Sequence, residues 1–315
     1  MTPDPQLAFV FPGQGSQAVG MLSELAAAHP EVREAFVEAG EGAGIDLWTL
    51  GQDGPEEQLN RTEFTQPALL AAGVAAWRAW QARGGAMPSM LAGHSLGEYG
   101  ALVAAGALSL GDAARLVRLR GQLMQEAVPA GTGAMAAILG AEDALVEQAC
   151  REVSGDTVVV PANYNSPGQL VIGGHADAVE RALALLAERG VRKTVKLAVS
   201  VPSHTPLMRE AANRLSSAMA DVAWREPSLP VVQNVDSEVH DGIQSIRDAL
   251  VRQLYLPVQW TGCVQALAAR GATRIAECGP GKVLTGLSRR IDKTLDARAL
   301  GHPADFDAAL AEWQA

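Results

Sequence analysis

The sequence predicts an α/β fold with a largely parallel sheet that carries a smaller insert. Strand and helix patterns alternate from the N-terminus, as they do when helices cover both faces of a parallel sheet. Between 131 and 200 the order changes to β-α-β-β-α-β, the ferredoxin-like unit. The 315 residues, 48% of them apolar, can bury one large core and an insert with a core of its own. The predicted division is a catalytic core of 1–130 and 201–315, interrupted by an inserted subdomain of 131–200.

Each element follows from its local pattern. LAFVF (7–11) is an apolar run that stops at PGQGS, and it reads as a buried strand. Helices are predicted around 17–29 and 31–42, then a polar loop over 51–63. QPALLAAGVAAWRAWQARG (66–84) is a helix with a glycine stop, SMLAGHS (89–95) a short apolar strand, and LGEYGALVAAG is rich in helix formers. Ser109 and Asp112 make a Ser-x-x-Asp cap for a helix that closes before Pro129. In the insert, GAMAAILG, TVVVPANYN, QLVIGGH and RKTVKLAVSV read as strands, with AEDALVEQACREV and ADAVERALALLAERG as helices. Beyond it, Thr205 caps a helix with Pro206 at its first position (205–222). Strand PVVQNVDS, helices 243–254 and 260–270, strand TRIAEC and helix 282–293 complete the order.

Composition excludes several functions. Charged residues make up 19% and the net charge is -10, without a basic run, which speaks against disorder and against non-specific nucleic-acid binding. Cys150, Cys263 and Cys278 are far apart and odd in number, so neither a disulfide framework nor a zinc site is expected, and a reducing cytoplasm fits. The N-terminal stretch lacks a signal-peptide pattern, and the apolar run near 70–80 is broken by Arg78.

The chemistry centres on GHSLGEY (93–99). A strand runs into this Gly-x-Ser-x-Gly and a helix runs out of it, the context of a nucleophile elbow, with Ser95 lifted above the sheet edge. The helix N-terminus behind Ser95 offers free backbone N–H groups to a developing oxyanion. Glu98, in the first turn, reads as a partner of the helix dipole rather than a catalytic acid. A serine needs a base. His204 sits at a strand-to-helix junction, where α/β sites gather. His94 reads as a structural hydrogen-bonder, and His29, His175, His240 and His302 as ordinary loop or surface residues. No Asp or Glu has a claim to the third position of a triad, which leaves a backbone carbonyl to orient the imidazole.

Arg120 falls at the centre of the apolar stripe Ala113, Leu116, Val117, Leu123, Met124, Ala127. A guanidinium there is costly unless paired. It is either a buried structural salt bridge or a charge held at the cleft to grip an anionic substrate. PGQGSQ (12–17) lacks the Gly-Lys-Ser/Thr of a phosphate loop; its glycines would let a backbone N–H near Gln14 approach a ligand. CGPGKVLTGL (278–287) reads first as tight packing at the rim and second as a binding loop.

FPGQGSQ, GHSLGEY, LRGQLMQEA, ANYNSPGQLVI, SVPSH, LYLPVQW and ECGPGKVLTGL occur in order across nearly the whole chain. Together they resemble the malonyl-CoA:acyl carrier protein transacylases of bacterial fatty-acid synthesis and the acyltransferase domains of polyketide synthases. The resemblance implies an α/β-hydrolase-like core with a ferredoxin-like subdomain inserted. It implies a malonyl ester on Ser95, with His204 as general base and then acid, and an oxyanion hole from the backbone N–H groups of Gln14 and Leu96. It also implies Arg120 on the malonyl carboxylate and the main-chain carbonyl of Gln253 on the histidine. No resident cofactor or metal is implied: malonyl-CoA is substrate, and the phosphopantetheine arrives on holo acyl carrier protein. Carrier proteins of this type are acidic, so docking would need a local basic patch. Arg289, Arg290 and Lys293, or Arg192, Lys193 and Lys196, could supply it, or could be solvated surface.

Other functions share parts of this pattern. A serine esterase or thioesterase uses the same elbow, though it has no reason to hold Arg120 on an apolar face. The acyltransferase subunit of a malonate decarboxylase shares the chemistry with a different carrier. A catalytically silent scaffold is disfavoured by the joint presence of Ser95, His204 and Arg120.

Overall fold

The computed structural model describes residues 2–129, 131–199 and 201–313. Among the described residues nine strands form two sheets: β1 (Asp4–Phe11), β2 (Pro88–Gly93), β3 (Gly133–Leu139), β4 (Val159–Ser166), β5 (Gln169–His175), β6 (Lys193–Lys196), β7 (Val231–Val232), β8 (Arg274–Glu277) and β9 (Asp296–Ala299). The larger sheet has the order β7-β2-β1-β8-β9, and every pair in it is parallel. The smaller sheet is antiparallel with the order β4-β5-β3-β6. With helices Asp143–Val153 and Ala176–Glu188, its chain order is β-α-β-β-α-β, as predicted. The predicted junctions at 130/131 and 200/201 abut Ala130 and Ser200, which lie outside the described residues.

The parallel sheet is buried on both faces, as helical crossovers require. Along β1 the alternation of a pleated strand divides the side chains between two cores. Leu7, Phe9 and Phe11 enter one with the helices Pro30–Ala43, Thr62–Ala82 and Leu110–Glu126, while Ala8 and Val10 enter the other with Val264, Ile275 and Leu284. The insert has a separate core around Ile138, Val146, Ile172, Val179 and Leu186. On its opposite face Met135, Ala162 and Val171 form a thin apolar layer turned toward the main domain.

Several elements differ from expectation. The predicted polar loop at 51–63 holds the end of helix Leu47–Asp53 and a short helix Glu56–Leu59. Asp46 caps the first of these, accepting the Thr49 N–H. The long helix begins at Thr62 rather than Gln66, so Pro67 sits within it and forfeits a single backbone hydrogen bond. That early start gives Gln66 a place on the helix face that meets Arg120. β9 and the helix Pro303–Trp313 went unrecognised in the sequence; β9 is a four-residue edge strand that carries the charged pair Asp296 and Arg298. The extended run expected over 192–201 is regular only at Lys193–Lys196. No helix among the described residues is long and apolar enough to cross a membrane.

Candidate active site

The elbow is built by close backbone packing. Ser95 has φ 52°, left-handed for a non-glycine residue. A Cβ on Gly93 would lie 1.9 Å from the Gly97 carbonyl carbon, and one on Gly97 would lie 2.0 Å from the Phe11 carbonyl oxygen. Neither position tolerates a side chain, so the turn at Ser95 is as tight as the backbone allows. Asn234, just after β7, fastens it from beneath. Its Oδ1 accepts the Ser95 N–H at 2.6 Å, and its Nδ2 donates to the Gly93 carbonyl at 2.6 Å.

His204 meets Ser95 from across the fold. Its Nε2 lies 2.8 Å from Ser95 Oγ and its Nδ1 2.7 Å from the Gln253 main-chain oxygen. A carbonyl can only accept, so Nδ1 carries the hydrogen and Nε2 is the acceptor that faces the hydroxyl. No carboxylate takes part; the helix Ile243–Gln253 presents its last carbonyl instead. Burial, and then the positive field of Arg120, hold the imidazole's pKa down at about 3, so the ring is neutral and able to take a proton.

Arg120 occupies the position that its stripe predicts, 1% exposed on the helix Leu110–Glu126. Nη1 donates to Gln66 Oε1 at 2.8 Å, and Nη2 donates to Gln253 Oε1 at 3.0 Å and to Ser95 Oγ at 3.2 Å. Its Nε has no acceptor, and it makes no ion pair with a carboxylate, among the described residues. The structural salt bridge left open by the sequence is therefore not what Arg120 makes. A buried cation held only by neutral amides and a hydroxyl suits an anion that comes and goes.

These groups line a cleft of about 400 Å³ between the main domain and the insert. Gln14, Ser95, Leu96, Arg120 and His204 form its polar floor, and Met135, Ala137, Val171, Leu197 and Val199 form an apolar wall. The main-chain N–H groups of Gln14 and Leu96 donate to no protein acceptor among the described residues, which leaves both available to an oxyanion. Gln14 is steadied by its side chain, whose Oε1 accepts the Thr62 hydroxyl at 3.0 Å. His94 is the hydrogen-bonder expected, its Nε2 lying 2.8 Å from Asn165 Oδ1.

One expectation is refined and one corrected. Glu98 stands in the first turn of its helix, as expected, but it has no exposed area, and its Oε2 accepts from the Asn234 N–H and from Gln253 Nε2. His29 is not a surface residue; it is 4% exposed and stacks on Phe306 with ring centroids 4.8 Å apart. Gln66 and Asn234 are site residues that the sequence reading missed. The signal for Gln66 was present, a polar side chain at the head of an apolar helix, but it was absorbed into the helix start at Gln66-Pro67.

The basic residues considered for docking separate. Arg290 donates to Gln169, which lines the cleft, and Gln169 pairs with Leu139, which pairs in turn with Lys193. Arg290 thus reaches a residue of the cleft lining, and Lys193 lies two strands from that residue at the same register of the small sheet. Arg192 and Lys293 are exposed. Arg289 instead donates to the Ala297 carbonyl at 2.6 Å, and Lys196 pairs with Glu180 at 2.7 Å.

An acyl transferase domain model matches residues 8–301. The chain is 56% identical to the malonyl CoA-acyl carrier protein transacylase of Salmonella typhimurium, over 98% of this chain and 99% of that protein. It is 42% identical to the transacylase of Bacillus subtilis, over 97% and 96%. Among solved structures, the malonyl-CoA:acyl carrier protein transacylase of Xanthomonas oryzae pv. oryzae superposes with a TM-score of 0.99 at 71% identity, covering 100% of both chains. A malonyl-transacylase in complex with a type II PKS acyl-carrier protein gives 0.96 at 52% identity, covering 98% of this chain and 99% of that one. With its elbow, its carbonyl-held histidine and its uncompensated arginine, this chain belongs to the acyl transferase domain family, among the malonyl-CoA:acyl carrier protein transacylases.

Proposed function

We propose that the protein transfers the malonyl group of malonyl-CoA to the phosphopantetheine thiol of an acyl carrier protein, through a malonyl ester on Ser95, and so supplies fatty-acid elongation. The observation that carries this is Arg120. It is buried, directed at Ser95 Oγ, open at Nε and without a carboxylate partner among the described residues. An acyl group with a free carboxylate supplies the missing charge, and it does so only while the reactive carbonyl is next to the nucleophile.

In the first half-reaction His204 Nε2 takes the Ser95 proton as Oγ attacks the thioester carbonyl. The oxyanion is received by the N–H groups of Gln14 and Leu96. When the intermediate collapses, the C–S bond breaks and the CoA sulfur takes the proton from His204 Nε2. In the second half the carrier thiol gives its proton to Nε2 as the sulfur attacks the ester. Collapse then returns that proton to Ser95 Oγ and releases malonyl-carrier. Arg120 holds the malonyl carboxylate throughout, and the Gln253 carbonyl stabilises the imidazolium that forms in each half. No resident cofactor enters the scheme.

The insert 131–200 supplies the apolar wall that faces the acyl chain, and Arg290 with Lys193 would meet the acidic carrier. A reducing cytoplasm is the proposed compartment, since Cys150, Cys263 and Cys278 are free buried thiols. The test is intact-mass measurement after exposure to malonyl-CoA, acetyl-CoA or methylmalonyl-CoA, followed by holo acyl carrier protein. A malonyl adduct on wild type, absent from Ser95→Ala and discharged by the carrier, is the expected result. An adduct that persists in Ser95→Ala would remove the nucleophile from the scheme.

A further inference from the structure

The carboxyl of Glu98, on the helix Gly97–Ala104 beneath the elbow, takes no part in the steps above. It is fully buried, and a buried carboxylate is costly unless something holds it. Its Oε2 accepts the Asn234 N–H at 2.9 Å and the Gln253 Nε2–H at 3.0 Å, while Oε1 has no partner among the described residues. The Gln253 amide is engaged at both ends. Nε2 also donates to the Ser95 main-chain carbonyl at 2.9 Å, and Oε1 accepts from Arg120 Nη2 at 3.0 Å.

An amide has distinguishable ends. Turned over, this one would set its NH2 against the guanidinium, donor against donor, and its oxygen against two acceptors. Glu98 Oε2 supplies the acceptor that fixes the Nε2 end, whether the carboxyl is protonated or ionised. The line from Glu98 Oε2 through the Gln253 amide to Arg120 therefore joins a buried carboxyl to a buried guanidinium across one side chain. We propose that Glu98 is a positioning residue: it locks the Gln253 amide that holds Arg120 toward the pocket, and so sets the preference for acyl groups that bear a carboxylate. This rests on the malonyl-serine reading above.

The carboxyl's protonation gives a readout that simple packing would not move. Burial raises its pKa to about 7, against the lowering effects of the Asn234 and Gln253 hydrogen bonds and of Arg120. The titratable or charged groups around it are Tyr99 on its own helix, Arg120 on the Leu110–Glu126 helix, Asp236 after β7 and Cys263 on the Trp260–Ala269 helix. Burial pushes Tyr99 and Cys263 upward and His204 downward, out of the neutral window. Oε2 can accept in either state, so titration changes the field at Arg120 and leaves the amide in place. As pH rises through about 7, Glu98 gains a negative charge one amide from Arg120, and this opposes an incoming carboxylate.

The experiment measures malonyl and acetyl loading by rapid quench and intact mass in wild type, Glu98→Gln and Glu98→Ala. It runs from pH 6 to 8, with thermal unfolding as a fold control. The ratio of the two loadings cancels titrations shared by the CoA donors. In wild type the ratio should fall as pH rises. Glu98→Gln retains an acceptor oxygen, so its ratio at the acid end should stay within about threefold of wild type and lose the pH dependence. Glu98→Ala should lower the ratio at the acid end about tenfold, the worth of one hydrogen bond. An unchanged ratio in Glu98→Ala, or superimposable pH profiles for wild type and Glu98→Gln, overturns the proposal, and the second comparison decides alone if the alanine variant does not fold. Wild type that forms no malonyl adduct refutes the Ser95 reading instead, whatever Glu98 does.

Discussion

Replacing Arg120 by leucine removes the guanidinium and keeps an apolar side chain on the stripe. Two charge-assisted hydrogen bonds to a malonyl carboxylate would go with it, at roughly 1.5–3 kcal/mol each. Arg120 is only 1% exposed, so water screens little of this. Part of the gain is spent on drying the carboxylate, which leaves about 3–4 kcal/mol, or a loss of about a hundred- to a thousandfold in malonyl loading. Acetyl loading should behave differently. Arg120 is the second cause, after burial, of the low basicity of His204, and its removal makes Nε2 a better proton acceptor. Acetyl loading is therefore expected to hold or rise. The variant also strands Gln66 Oε1 and Gln253 Oε1, at about 1–3 kcal/mol of stability each, so thermal unfolding must be followed in parallel. The assay is quenched-flow loading from both CoA thioesters, read by intact mass. If both rates drop by the same factor in a folded variant, Arg120 is a structural residue and the selectivity argument fails.

Three further outcomes are expected. Gly93→Ala places a Cβ against the Gly97 backbone, which cannot retreat as a side chain would. Unfolding free energy should fall by about 1–3 kcal/mol or more and the malonyl adduct should vanish; a stable, active variant would show that the elbow is looser than drawn. For His204, the folded ring refuses a proton that the unfolded chain accepts near pH 6.5, so its contribution to stability is present above that pH and lost as pH falls toward about 3. Urea unfolding of wild type should weaken with acid relative to His204→Gln, because the opposite titration of Glu98 is common to both; parallel curves would contradict a buried neutral histidine. Arg290→Glu should slow transfer to holo acyl carrier protein several-fold, most at low salt, without slowing transfer to free pantetheine, on the order of a lost surface charge contact. Equal slowing with both acceptors would place Arg290 in the pocket's chemistry rather than in carrier docking.

Much of this site was legible because its demands are local. The glycines of GHSLGEY announce a turn that nothing bulkier can make, and Arg120 betrayed itself by lying on an apolar stripe. His204 was marked by its junction, and the absence of a plausible acid pointed to a backbone carbonyl, which the family resemblance assigned to Gln253. What stayed hidden depends on contacts far apart in sequence. Asn234 fastens Ser95 from 139 residues away, and the Gln253 side chain touches both Ser95 and Arg120. No periodicity reports such a meeting. The burial of Glu98 was hidden for the related reason that first-turn acids usually face water; here the helix starts inside the protein. Several of the fold errors lie in short elements whose regularity comes from neighbours: β9 is four residues long, and the helices at Leu47–Asp53 and Glu56–Leu59 rest on caps and packing rather than on an amphipathic pattern.

The malonyl ester on Ser95 is a covalent intermediate that waits for its acceptor. Rapid-quench measurement of CoA thiol released from malonyl-CoA, with no carrier present, isolates that step. A burst of one thiol per enzyme, then silence until holo acyl carrier protein is added, is the expected result, with no burst in Ser95→Ala. Continuous release would make the protein a hydrolase, and no release before the carrier arrives would mean direct transfer between two bound thiols without a malonyl-serine.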